Sequence, residues 1–88
     1  MISRTVEMRN KRGLHARASA KFVTLATGLT AAVEVEKDGS TVCGTSIMGL
    51  MMLGAAMGDS ITISAEGEGA DEAVAALVEL VEGRFGED

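Results

Sequence analysis

The stretch that decides the fold is VEVEKDGSTVC, Val33 to Cys43. Val33 and Val35 alternate with Glu34 and Glu36, the period-two pattern of a strand with one buried and one solvated face. Asp38-Gly39 follows. A type I′ hairpin turn needs positive φ at both central residues, and Asp-Gly meets that need. Ser40 to Cys43 then returns as an antiparallel strand. A sheet with one wet face must bury its other face under a second layer.

The flanking sequence supplies both more strands and that layer. Toward the N-terminus, Ile2, Val6 and Met8 alternate with Ser3, Thr5 and Glu7, with Arg4 as the exception, which reads as a first strand. Asn10 to Gly13 is a turn. Alanine-rich helical sequence runs from about Ala16 to Thr27, with apolar Ala16, Ala20 and Val23 at helical spacing and Gly28 as the stop. Toward the C-terminus, IMGLMMLG reads as a short apolar helix. Ser60 to Glu66 alternates through Ile61, Ile63 and Ala65 as a fourth strand. ADEAVAALVELVEG is an amphipathic helix with Asp71 and Glu72 in its first turn and Gly83 at its end. The order is β-α-β-β-α-β-α. The expected class is α+β: a four-stranded antiparallel sheet covered on one face by helices.

Length and charge narrow the function. The 88 residues suffice for one small domain. No apolar run approaches the ~20 residues of a membrane span, and no signal-peptide pattern opens the chain. A soluble, cytoplasmic protein without membrane insertion is expected. The single cysteine, Cys43, excludes an internal disulfide; beside Thr41 and Val42 it reads as a small packed thiol. Net charge is −5, yet residues 1–21 hold six bases and one acid, while residues 22–88 hold two bases and twelve acids. That asymmetry points to a local site for an anion or an acidic partner. Two phenylalanines and no Trp or Tyr give no stacking platform for nucleic acid, which is not expected as a partner.

The bases gather around the one histidine, in RGLHARASAKF, Arg12 to Phe22. His15 falls at or beside a helix N-cap. There the N–H groups of Ala16, Arg17 and Ala18 lack intrahelical partners and can receive an anion. The helix dipole disfavours a cationic ring at that end, and Arg17 adds a planar donor fork suited to phosphate oxygens. These features suit a histidine that accepts a phosphoryl group. The dipole is worth about 0.3–1 kcal/mol, rising to ~2 when partly buried, so such a site holds the group without trapping it. On spacing alone, His15 also reads as a plain cap or surface residue. No second His or Cys stands at ligand spacing, so no metal and no cofactor is expected. Neither a triad nor a Walker A loop is present.

GLHARASAKFV resembles the active-site segment of the HPr family, the histidine phosphocarriers of the bacterial phosphoenolpyruvate-dependent phosphotransferase system. The resemblance extends to the length, the element order, TSIMGLMMLG and ISAEGEGADEAVAALVELVE. It implies one HPr-like domain over residues 1–88, an open-faced β-sandwich of four strands under three helices. It implies phosphorylation of His15 on Nδ1 by phospho-enzyme I, transfer to an enzyme IIA domain, and stabilisation of the phosphorylated ring by Arg17. Ser46 matches the serine modified by HPr kinase/phosphorylase in many bacteria. Two positions depart from the pattern: Ala18 replaces a usual proline, and Arg12 replaces a short polar residue. The wording NKRGLHARASAKF looks more like the nitrogen-related branch than the sugar-uptake branch.

Ser46 is also a preferred N-cap residue before the apolar helix. Within that helix Leu50 and Leu53 lie on one side. Ile47, Met48 and Met51 lie on another, about 140° away by the ~3.6-residue period. The second side is expected to form an adaptable docking patch together with Arg12, Ala20 and Lys21, although an all-core reading is open. Glu79, Glu82 and the acidic tail read as a solvated face. The expectation is a monomeric relay protein without a substrate pocket of its own. The alternative is a regulatory binding module that docks through Ile47, Met48 and Met51 and is gated by Ser46.

Overall fold

The computed structural model describes residues 1–87. Its elements are β1 (Ile2–Glu7), α1 (Ala16–Thr27), β2 (Ala32–Lys37), β3 (Ser40–Cys43), α2 (Ile47–Met52), β4 (Ser60–Glu66) and α3 (Ala70–Glu82), followed by a 3₁₀ turn at Arg84–Gly86. The strands form one antiparallel sheet in the order β1-β4-β2-β3. The hairpin turn adopts the geometry its sequence demands, with Asp38 at φ 52° and Gly39 at φ 85°.

Period two sorts the sheet into faces. Val6 pairs with Ile61 and Val35 with Ile63, all four buried beneath the helices. The opposite face is wet. Ser3 and Ser64 share a hydroxyl hydrogen bond of 2.9 Å there, as do Thr5 and Thr62 at 3.0 Å. Helix α3 packs over β1 and β4, while α1 packs between α2 and α3. Phe22, Leu50, Leu77, Val81 and Phe85 close the core against the sheet. Both aromatic rings of the chain are therefore interior.

Three expectations are corrected. The buried stripe of α1 is Ala18, Ser19, Phe22 and Ala26, not the Ala16, Ala20, Val23 set. Ala16 and Ala20 lie two residues, about 200° around the helix, from Ala18 and Phe22. The large Phe22 ring fixes which side faces inward. Buried Ser19 is accommodated because its hydroxyl donates to the Leu14 carbonyl at 3.2 Å. Ile2 is exposed, lying at the end of the edge strand β1. Cys43 is exposed rather than packed. It stands opposite Glu34 in the β2–β3 register, so it shares the solvated face, while Val42 stands opposite buried Val35. The Thr45 side-chain hydroxyl lies 3.0 Å from the Cys43 sulfur. Hydrogen bonding from Thr45 holds this thiol below its ordinary value, against desolvation and the charge of Glu34.

Candidate functional site

The site begins with the turn between β1 and α1. Gly13 has φ +62°, and a Cβ there would meet the Ala55 carbonyl oxygen at 2.1 Å. Only glycine lets the two backbones approach so closely. Leu14 is buried and its N–H donates to the same carbonyl at 2.9 Å. The next residue, His15, is thereby delivered to the start of α1 as its N-cap, with φ −74° and ψ −179°.

Both ring nitrogens of His15 are engaged. Nδ1 accepts from the Arg17 backbone N–H at 3.2 Å. Nε2 lies 2.7 Å from Glu87 Oε2. A nitrogen that accepts carries no proton, so the ring proton sits on Nε2 and is donated to the carboxylate. The His15 side chain is 22% exposed and Glu87 21%, so the ring edge remains reachable. The other Glu87 oxygen, Oε1, accepts from Asn10 Nδ2 at 3.1 Å, and the same amide donates to the Gly13 carbonyl at 2.8 Å. Burial works against ionisation of Glu87. Hydrogen bonds from Asn10 and His15, with the charges of His15 and Lys21, outweigh it and hold the carboxyl below its usual value.

His15 and Glu87 share a cleft of about 380 Å³ with Lys11, Arg12 and Arg17. Three basic side chains and the imidazole thus line one cleft. Of the three expected backbone donors, Ala16 and Arg17 are exposed, while Ala18 is wholly buried and lies out of reach of solvent. A second, larger groove of about 610 Å³ adjoins the cleft at Arg17 and runs past Ala20, Lys21, Leu25 and Leu80. Lys21 Nζ also donates to the Phe85 carbonyl at 2.7 Å.

Ser46 caps α2, its Oγ accepting from the Gly49 N–H at 3.0 Å. Leu50 is fully buried and Leu53 nearly so, whereas Ile47, Met48 and Met51 are 41%, 68% and 41% exposed. Helix α2 packs against α1, so these exposed side chains sit on the element next to the one that carries His15. No group of three or more His, Cys, Asp or Glu side chains among the described residues is arranged to hold a metal. No helix among them is long and apolar enough to cross a membrane.

Sequence reasoning missed Glu87 and the anchoring role of Asn10. The acidic tail was expected to be a solvated face; in fact Glu87 turns inward to the ring. Local spacing holds no signal for a contact between residues 72 positions apart. A buried-compatible Asn in a turn before the histidine was the one available hint.

Comparison with known proteins identifies the family. A family profile described as "PTS HPr component phosphorylation site" matches residues 2–83. The chain is 48% identical to the phosphocarrier protein HPr of Neisseria meningitidis over 99% of its own length and 98% of that protein's. It is 37% identical to the phosphocarrier protein NPr of Shewanella violacea, over 98% and 94%. The crystal structure of HPr-C-His from Thermoanaerobacter tengcongensis superposes with a TM-score of 0.95 at 46% identity, covering 100% of this chain and 99% of that one. Fold and element order converge with these matches, and the chain belongs to the HPr family of phosphocarriers of the phosphotransferase system.

Proposed function

We propose that His15 is the carrier residue: its Nδ1 accepts a phosphoryl group from phospho-enzyme I and passes it to an enzyme IIA-type acceptor in the cytoplasm. The observation that carries this reading is the proton arrangement of the ring. Nε2 holds the proton against Glu87, which leaves the Nδ1 lone pair as the nucleophile. That lone pair points toward the first-turn N–H groups of α1, where the helix end favours a negative group. As phosphorus bonds to Nδ1, the Arg17 N–H is released to a phosphoryl oxygen, and the Arg17 and Arg12 guanidinium groups supply charge. The protein acts as a monomeric stoichiometric intermediate.

Docking uses the surface next to the cleft. Ile47, Met48 and Met51, with Ala20, Lys21 and Arg12, form an apolar patch bordered by bases, suited to an acidic rim around an apolar centre on each partner. Ser46 is the regulatory phosphorylation site, taken by HPr kinase/phosphorylase where a host has one. A phosphate there would bring about −1.5 to −2 charges onto the docking helix. The exposure of α2 also favours a second reading, a binding module that docks without any relay. Between HPr and NPr, the identities of 48% and 37% favour the HPr side.

Incubation with enzyme I and phosphoenolpyruvate, followed by mass measurement, separates the two. The relay predicts one acid-labile, base-stable phosphate, absent from His15→Ala. No adduct, or an adduct that survives His15→Ala, leaves only the binding module.

A further inference from the structure

Methionine is unevenly distributed in this chain. Four of its six methionines, Met48, Met51, Met52 and Met57, fall in helix α2 and the turn after it. Met8 lies in the core at 1% exposed, whereas Met52, Met48 and Met51 are 80%, 68% and 41% exposed. Residues three and four apart are neighbours on a helix surface, so Met48 stands beside both Met51 and Met52. The three span an arc of about 100°, and Leu50 lies about 200° around from Met48 by the same helical period. Leu50 is buried and anchors the helix, while the three thioethers face outward.

Leucine or isoleucine would make an equally apolar surface, but only a thioether reacts with peroxide. A sulfur lone pair attacks one peroxide oxygen, the O–O bond breaks, and the other oxygen leaves as hydroxide. The proton on the new sulfur-bound oxygen passes to that hydroxide. Sulfur is oxidised by two electrons, and the peroxide is reduced to water. The sulfoxide formed is polar, and methionine sulfoxide reductases reverse it. Covering such a group with an apolar partner surface carries a desolvation cost that a thioether does not. Met8 is shielded in the core, so the chemistry is confined to the surface.

We propose that Met48, Met51 and Met52 are a peroxide-sensitive modification site: their conversion to sulfoxides makes the docking surface polar and reversibly weakens capture by enzyme I without unfolding the chain. This rests on the docking reading above. It adds to that reading a control set by oxidant, on the helix that Ser46 caps.

The test uses the full chain carrying Cys43→Ser, so that the exposed thiol does not compete for oxidant. This parent protein is treated with hydrogen peroxide, freed of it, mapped by peptide mass and titrated with enzyme I. One added oxygen is expected on each of Met48, Met51 and Met52, with Met8 unmodified. Affinity for enzyme I is expected to fall about tenfold. The unfolding curve is expected to stay in place, and sulfoxide reductases are expected to restore binding. The triple variant Met48→Leu, Met51→Leu, Met52→Leu keeps an apolar surface of similar volume. It is expected to bind like the parent and to keep its affinity through the same treatment. Met1 and Met57 are also exposed and remain in the triple variant, which controls for oxidation elsewhere. An oxidised parent that binds enzyme I as tightly as before overturns the proposal, and so does an equal loss in the triple variant. Met48→Ala without oxidant separates the two readings. Unchanged affinity there removes the docking patch and the proposal with it. Weakened affinity in Met48→Ala, with full affinity in the sulfoxide form, removes the oxidant control alone.

Discussion

Gly13 shows how one residue positions a site. Its φ of +62° disfavours any side chain, and a Cβ would press on the Ala55 carbonyl. Gly13→Ala is expected to cost about 2–4 kcal/mol, combining left-handed strain with overpacking against backbone. Urea unfolding measures this, and a cost under about 1 kcal/mol would contradict it. Glu87 makes a second prediction at the same scale. Its folded value is depressed from 4.5, so its contribution to stability is complete above the unfolded value and disappears as pH falls through the folded one. The stability difference between wild type and Glu87→Ala should therefore be present just above pH 4.5 and fade as pH falls below it. A difference that grows in acid would reverse the assigned sign.

In the proposed relay, helix α2 divides stability from recognition along a single element. Leu50 is fully buried and Met48 is 68% exposed. Leu50→Ala is expected to destabilise by about 2–5 kcal/mol, and Met48→Ala by less than ~0.5 kcal/mol, with paired unfolding curves as the check. Met48→Ala should instead weaken binding to enzyme I, as titration calorimetry would show. Elements were legible in the sequence where periodicity met a strong local signal. The Asp38-Gly39 turn fixed β2 and β3, Gly28 and Gly83 ended α1 and α3, and Ser46 opened α2. What local pattern could not supply was orientation and distance. Small alanines gave no preference for one face of α1, so the position of Phe22 decided it. Cys43 followed the register set by Glu34. The left-handed turn at Arg84 and Phe85 has no composition cue, and so the contact of Glu87 with His15 stayed hidden while His15 itself stood out.

Across the whole molecule, charge and topology reinforce each other. The basic N-terminal quarter forms β1, the turn and the first part of α1, so Lys11, Arg12 and Arg17 line the cleft and Lys21 stands near it, while most acids lie on other elements. An acidic protein with one basic face should meet its partners by steered encounter. Raising ionic strength from about 0.01 to 1 M shortens the screening length from ~30 to ~3 Å. Phosphoryl acceptance from enzyme I at limiting concentration should then slow at least several-fold, while unfolding stability changes little. A salt-independent transfer rate would argue against steering. The central claim concerns which nitrogen carries the group, and long-range ¹H–¹⁵N NMR of the phosphorylated protein tests it most directly. Phosphorus on His15 Nδ1 with the proton retained on Nε2 is the predicted spectrum; phosphorus on Nε2, or a ring identical to that of the unphosphorylated chain, would contradict the account.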